Sequence, residues 1–88
     1  MEAELIEKEE VINYRFVAVD KKESEITQEK LERAVRLGNE FKGKTQITFM
    51  TSEGAKRIET TVWTLTENYI QIKGGVSIPV NALIDLTQ

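Results

Sequence analysis

From Lys44 to Thr87 apolar residues alternate with polar ones, and turn residues break the pattern every few positions. A period of two puts the apolar side chains on one face of a strand, so this half of the chain predicts a meander of five short strands. Ile47 and Phe49 share a face of the first. Ser52-Glu53-Gly54 reads as a three-residue hairpin loop in which the glycine takes the positive φ of a bulge. The next strand, Lys56 to Thr66, is long, and its apolar phase changes: Ile58, Thr60 and Val62 lie on one side, Trp63 and Leu65 on the other. Such a change predicts a strand bent around a corner, each half facing inward in turn. Glu67-Asn68 turns into Tyr69–Lys73, with Ile70 and Ile72 inward, and Gly74-Gly75 makes a two-residue hairpin into Val76, Ile78 and Val80. Pro79 has no N–H to donate, so its strand lies at an edge or turns that position away from its neighbour. A single 3₁₀ turn over Asn81-Ala82-Leu83 precedes Ile84 and Leu86, which close the sheet.

The first half reads differently. Residues 1–9 (MEAELIEKE) are expected to be a flexible acidic end, followed by a single domain over residues 10–88. The run Val11–Val19 (VINYRFVAV) is rich in β-branched and aromatic residues and predicts an additional strand buried on both faces. A helix is expected over Gln28–Leu37. Thr27 is its N-cap, Glu29 sits in the first turn where the helix dipole favours an anion, and Leu31, Ala34, Val35, Leu37 and Phe41 form an apolar arc. Glu29–Arg33 and Glu32–Arg36 are acid-before-base pairs at i, i+4, and Gly38-Asn39 is the expected stop. The fold class is therefore α+β, mainly β: a small barrel of about five antiparallel strands, one preceding helix and one extra strand.

Eighty-eight residues suffice for one domain, burying roughly 60–65 % of the surface of the unfolded chain. The composition, 40% hydrophobic and 31% charged, is that of an ordinary water-facing domain, and no apolar run approaches the ~20 residues of a membrane span. With no leader-like segment, the expected localisation is cytoplasmic, without membrane contact. The chain has no cysteine and no histidine. That removes disulfides, His or Cys metal sites and the Ser-His-Asp and Cys-His nucleophilic systems, so the expectation is a protein that is no enzyme and uses no cofactor. Residues 1–43 carry 11 acids against 8 bases and residues 44–88 carry 4 against 4, so the net charge of −3 comes from the first half. A barrel gripping nucleic acid through phosphates would show a surplus of cations.

A helix followed by five short strands, with a long bent second strand and a 3₁₀ turn before the last, resembles the small-barrel superfamily of SH3-like and Sm-like domains. Ser77-Ile78-Pro79-Val80-Asn81-Ala82-Leu83 is similar to an SH3 element in its apolar-Pro-x-Asn order, with Ala82 where that element has tyrosine. Over about Gln28 to Thr87 the order resembles bacterial Sm-like RNA chaperones, although the Tyr-Lys-His run of that family falls near Pro79-Val80-Asn81, which is neither aromatic nor basic. Glu59–Trp63 (ETTVW) and Lys73–Pro79 (KGGVSIP) also resemble an uncharacterised family of small bacterial proteins.

Five residues are the candidate partner surface: Trp63, Tyr69, Lys56, Arg57 and Lys73. Trp63 is expected to fill the barrel end under the helix, since tryptophan is highly buried on average; the functional alternative is an exposed anchor beside Tyr69. Lys44, Lys56, Arg57 and Lys73 read as a solvated surface, or as a basic rim for RNA. Glu2, Glu4, Glu7, Glu9 and Glu10 lack calcium-loop spacing, and Lys73-Gly74-Gly75 is a hairpin rather than a phosphate cradle. The leading expectation is a non-catalytic interaction module that binds another protein, or itself, through an exposed strand edge. The alternative is an Sm-like single-stranded RNA binder, with Lys56, Arg57 and Lys73 on phosphates and Tyr69 or Trp63 stacking a base.

Overall fold

The computed structural model describes residues 3–87 of the chain. Seven strands and one α-helix follow in the order β1 (Glu4–Leu5), a 3₁₀ helix (Lys8–Asn13), α1 (Gln28–Phe41), β2 (Thr45–Thr51), β3 (Gly54–Thr60), β4 (Val62–Leu65), β5 (Tyr69–Ile72), β6 (Ser77–Pro79), a 3₁₀ turn (Val80–Ala82) and β7 (Leu83–Thr87). Hydrogen bonding sorts the strands into two sheets, β1-β3-β2-β7 and β4-β5-β6. The α+β, mainly β, expectation is met. The inward isoleucines behave as their alternation requires: Ile47, Ile58, Ile70, Ile72 and Ile78 are fully buried with Phe49, Val62 and Leu83 in one cluster that α1 covers with Leu31 and Ala34.

The long bent strand of the sequence reading is β3 and β4 with Thr61 between them, and it carries the chain from one sheet to the other. The register with β5 slips between Val62 and Thr64, which makes Trp63 the extra residue of a bulge. A bulge re-aims the side chains beyond it. Val62 and Leu65 therefore both pack on the core although three residues apart, and Trp63 is turned outward. A second slip in the β2–β7 ladder leaves Ile84 as the extra residue between Leu83 and Asp85, allowing two adjacent apolar residues both to be buried.

Several boundaries move for tertiary reasons. Thr27 caps α1 as expected, its hydroxyl accepting from Lys30 N at 3.1 Å, but the helix passes through Gly38-Asn39 and ends at Phe41, with Lys42 in the left-handed conformation. Gly38 is in the helix because the backbone of β4 comes so close there: a Cβ at this position would lie 2.1 Å from the Val62 carbonyl oxygen. The glycine serves close packing rather than termination. Phe41, placed on the buried arc by periodicity, is 71% exposed on the extra turn. Between β2 and β3 the loop is two residues, Ser52-Glu53, with Thr51 paired to Gly54, and Gly54 takes the positive φ of 104°. The Thr51 hydroxyl closes the turn by donating to Gly54 O at 2.7 Å and accepting from Glu53 N.

The expected strand Val11–Val19 does not form. Its first residues end the 3₁₀ helix, which buries Val11 and leaves Ile12 exposed, and the rest runs extended with one bridge, Phe16 to Thr51. β3 pairs with the whole of β2 and β7 with Gln46–Phe49, so only the end of β2 at Met50–Thr51 is left to the segment, which gains the bonds Val17 N to Met50 O and Ser52 N to Arg15 O. Phe16 still packs edge-on against Phe49, ring centroids 5.6 Å apart. Residues 3–9, read as a flexible end, include β1 and the start of the 3₁₀ helix; Glu2 of the acidic run lies outside the described residues. No helix among the described residues is long and apolar enough to cross a membrane.

The approach of Gly38 to Val62 has a measurable consequence. G38A gains about 1 kcal/mol of helix propensity yet drives a methyl group into a carbonyl, so urea denaturation should show a net loss of about 1–3 kcal/mol. N39A, on the exposed side of the same turn, should stay within about 0.5 kcal/mol of the parent.

Candidate functional site

The five candidate residues are dispersed by the fold. Trp63 is 44% exposed, contrary to its expected place under the helix, because the bulge in β4 turns it away from the core. It borders a shallow depression with Leu65 and the α1 residues Glu32, Val35, Arg36 and Glu40. Of the two expected helix ion pairs, Glu29–Arg33 closes at 2.6 Å, whereas Glu32 and Arg36 flank this depression. Tyr69, 48% exposed, belongs to a separate groove of about 580 Å³ walled by Val19, Ile26, Pro79 and Val80, with Lys21, Ser24, Glu67, Asn68 and Asn81 supplying its polar lining. Lys73 shares a third depression with Lys44, Glu7, Glu9 and Glu59, where acids and bases are mixed. Lys56 and Arg57 line a fourth, alongside Ala3, Glu4 and Glu53. No single face gathers the cations around an aromatic side chain.

Two of these places are built rather than incidental. The Tyr69 groove lies at the end of β6, where Tyr69 and Pro79 are cross-strand partners. Ile72 N donates to Val76 O, and Val80 N donates to Asn68 O. Positions 76, 78 and 80 thus point their backbone groups at β5, and Ser77 and Pro79 point theirs outward. The strand bearing Pro79 is an edge strand, one of the two placements its missing N–H requires. Its outward face offers the N–H and C=O of Ser77 and the C=O of Pro79.

The other outer strands are occupied. On β7, Glu25 N donates to Ile84 O at 2.7 Å and the Ser24 hydroxyl to Leu83 O at 2.9 Å. Further along, the Asp85 carboxylate accepts from Leu86 N and from Lys30 Nζ, each at 2.8 Å. That hydrogen bond holds the Lys30 ammonium above its ordinary pKa. β4 packs against α1 at Gly38, and β1 is two residues long.

The second built place is Lys56. Although on a strand near the sheet edge, it is buried, its Nζ bonded to the Glu4 carboxylate and 5.3 Å from the centre of the Tyr14 ring. The hydrogen bond that Lys56 Nζ donates to the Glu4 carboxylate raises the Lys56 pKa above 10.5, against the opposing pull of desolvation. Its partner comes from β1, which runs parallel to β3 with Glu4 opposite Lys56 and Leu5 opposite Arg57. The sequence reading missed this site, since Glu4 and Lys56 are 52 residues apart and β1 has no periodicity to detect. A hint existed in the alternation itself, which puts Lys56 on the same face as Ile58 and Thr60.

Inside the fold, Thr45 and Thr60 face each other across β2 and β3, and neither hydroxyl has a partner among the described residues. Among the described residues no group of three or more acids converges as a metal cage would require. In comparisons with known proteins, no family model matches the chain and no curated protein or solved structure matches it significantly.

The ion pair sets a pH dependence. A lysine whose pKa is raised in the fold contributes stability below its unfolded value, and that contribution is lost as pH rises through the folded value. The difference in urea midpoint between the parent and E4Q should therefore be constant from about pH 7 to 9 and shrink above 10.5. A gap that persists at about pH 12 would show that Glu4 acts through packing instead.

Proposed function

We propose that this chain is a non-catalytic protein-binding module whose docking strand is β6. The observation that carries the reading is the edge of β6 beside the Tyr69 groove, which no described residue covers, on a molecule whose other outer strands are capped, covered or very short. An extended segment laid along β6 would bond to Ser77 N–H, Ser77 C=O and Pro79 C=O, and place one bulky apolar side chain between Tyr69, Pro79, Val80 and Ile26. The backbone bonds supply orientation and the groove supplies selectivity. Pro79 limits the ladder to a few bonds, which guards against runaway strand addition, so the groove carries most of the affinity. Filling it is worth about 1.5–3 kcal/mol for one apolar side chain. On this reading the two sheets are the halves of a small SH3-like or Sm-like barrel, with β3 and β4 forming the bent strand they share.

The alternative, a single-stranded RNA binder, would rest on Lys73 and Arg57 with Tyr69 or Trp63 stacking a base. Its weakness is distance: these residues border separate depressions, and Lys56 is committed to Glu4.

A library of extended peptides screened by NMR should yield binders whose shifts map to Tyr69, Ser77 and Val80. Y69A should weaken them by about 30-fold, as loss of a central aromatic anchor does, while W63A leaves them unchanged. Shifts centred on Lys73 with oligonucleotides, fading steeply with salt, would replace this reading with the RNA one.

A further inference from the structure

The segment Ala3–Ile6 is joined to the fold by very little. Its backbone contributes two register pairs with β3 and one further bond, Ile6 N to Arg57 O at 2.9 Å. Its side chains alternate in use: Glu4 reaches Lys56, Leu5 is 68% exposed, and Ile6 packs on the margin of the core. The receiving surface is far more committed than the segment. Lys56 retains 11% of its side-chain exposure against 63% for Glu4, and lies over Tyr14 with Glu53 also nearby. A desolvated ammonium needs a carboxylate, and among the described residues Glu4 supplies the one that bonds it. The edge of β3 therefore has the properties of a receptor: a strand ladder, a buried cation and an apolar margin, reading acid, any residue, aliphatic.

We propose that Ala3–Ile6 is an exchangeable strand, and that the β3 edge accepts the same four residues from a second copy of this chain, with Glu4 of one copy on Lys56 of the other. Every contact made within one molecule is reproduced between two, so exchange sacrifices none of them. The hinge is Glu7, whose backbone is extended at φ −77° and ψ 144° between β1 and the 3₁₀ helix. The intramolecular strand acts at an effective concentration of about millimolar, which keeps the parent protein monomeric in dilute solution. Anything that weakens the internal pairing while keeping the intermolecular one reverses that preference. This site is on the opposite sheet from β6 and does not depend on the peptide-binding reading.

Charge reversal isolates the two cases. In E4K and in K56E taken singly, like charges meet within the molecule and between identical copies alike, and both variants should elute as monomers. In an equimolar mixture, each variant's segment finds an opposite charge on the other variant's β3, in both directions. Light scattering on the mixture should show a heterodimer that neither variant forms alone. If both variants keep the parent circular dichroism and the mixture stays monomeric, the proposal is overturned. Should K56E fail to fold, full-length E4K is titrated with the peptide MEAELIE: binding at Lys56 and Arg57 by NMR, at least about tenfold tighter than for the same peptide carrying E4K, sustains it. No peptide-induced shift at those residues at millimolar concentration overturns it.

Discussion

The fold depends on how one strand crosses between two sheets. From Gly54 to Leu65 the chain is nearly continuous β structure, and it belongs first to the ladder with β2 and then to the ladder with β5. An unbroken strand keeps one face throughout, so it could not bury Ile58, Val62 and Leu65 together against a curved core. The bulge at Trp63 resolves the phase. It also leaves the largest side chain of the molecule outside, and brings the Val62 carbonyl close enough to α1 that only glycine fits opposite. Helix position, core filling and the exposure of Trp63 are three results of that single slip in register.

A second constraint concerns edges. Two open sheets have four outer strands, and unpaired backbone on each invites association. The chain treats them unequally. β7 is blunted by the Ser24–Glu25 backbone and by the Asp85 carboxylate, and β4 by the helix. β1, the outer strand beside β3, is two residues long and held through a buried lysine, and β6 is left open among the described residues with a proline that limits what joins it. On the proposed reading, it is the distribution of these devices that makes β6 the docking strand.

The acidic first half is less of a solvated appendage than its charge suggests. Glu4 neutralises the buried Lys56, and Glu25 lends its backbone N–H to β7. Two glutamates of the acidic half thus have assigned structural work. Their contacts are long-range, and such contacts leave no local trace in composition.

The alternation of Ile47, Ile58, Ile70, Ile72 and Ile78 was sufficient to place β2, β3, β5 and β6 and the part of the core they fill, because burial on one face of a strand imposes a period of two. Thr27, Pro79 and the hairpin at Gly74-Gly75 were equally legible, since a helix cap, an edge position and a hairpin are local backbone requirements written in residue type, although the loop takes in Lys73 and is three residues long rather than two. The Val11–Val19 run shows the limit: its residues favour a strand, but a strand needs a free neighbour, and β3 and β7 leave only the end of β2 at Met50–Thr51 for it to pair with. Gly38 inside the helix, Trp63 outside the core and the docking of Glu4 on Lys56 were likewise settled by which backbone came near. Residue type determined what each segment prefers by itself; close approach between segments distant in sequence decided which of those preferences survived, because packing and desolvation outweigh propensities of a fraction of a kcal/mol per residue.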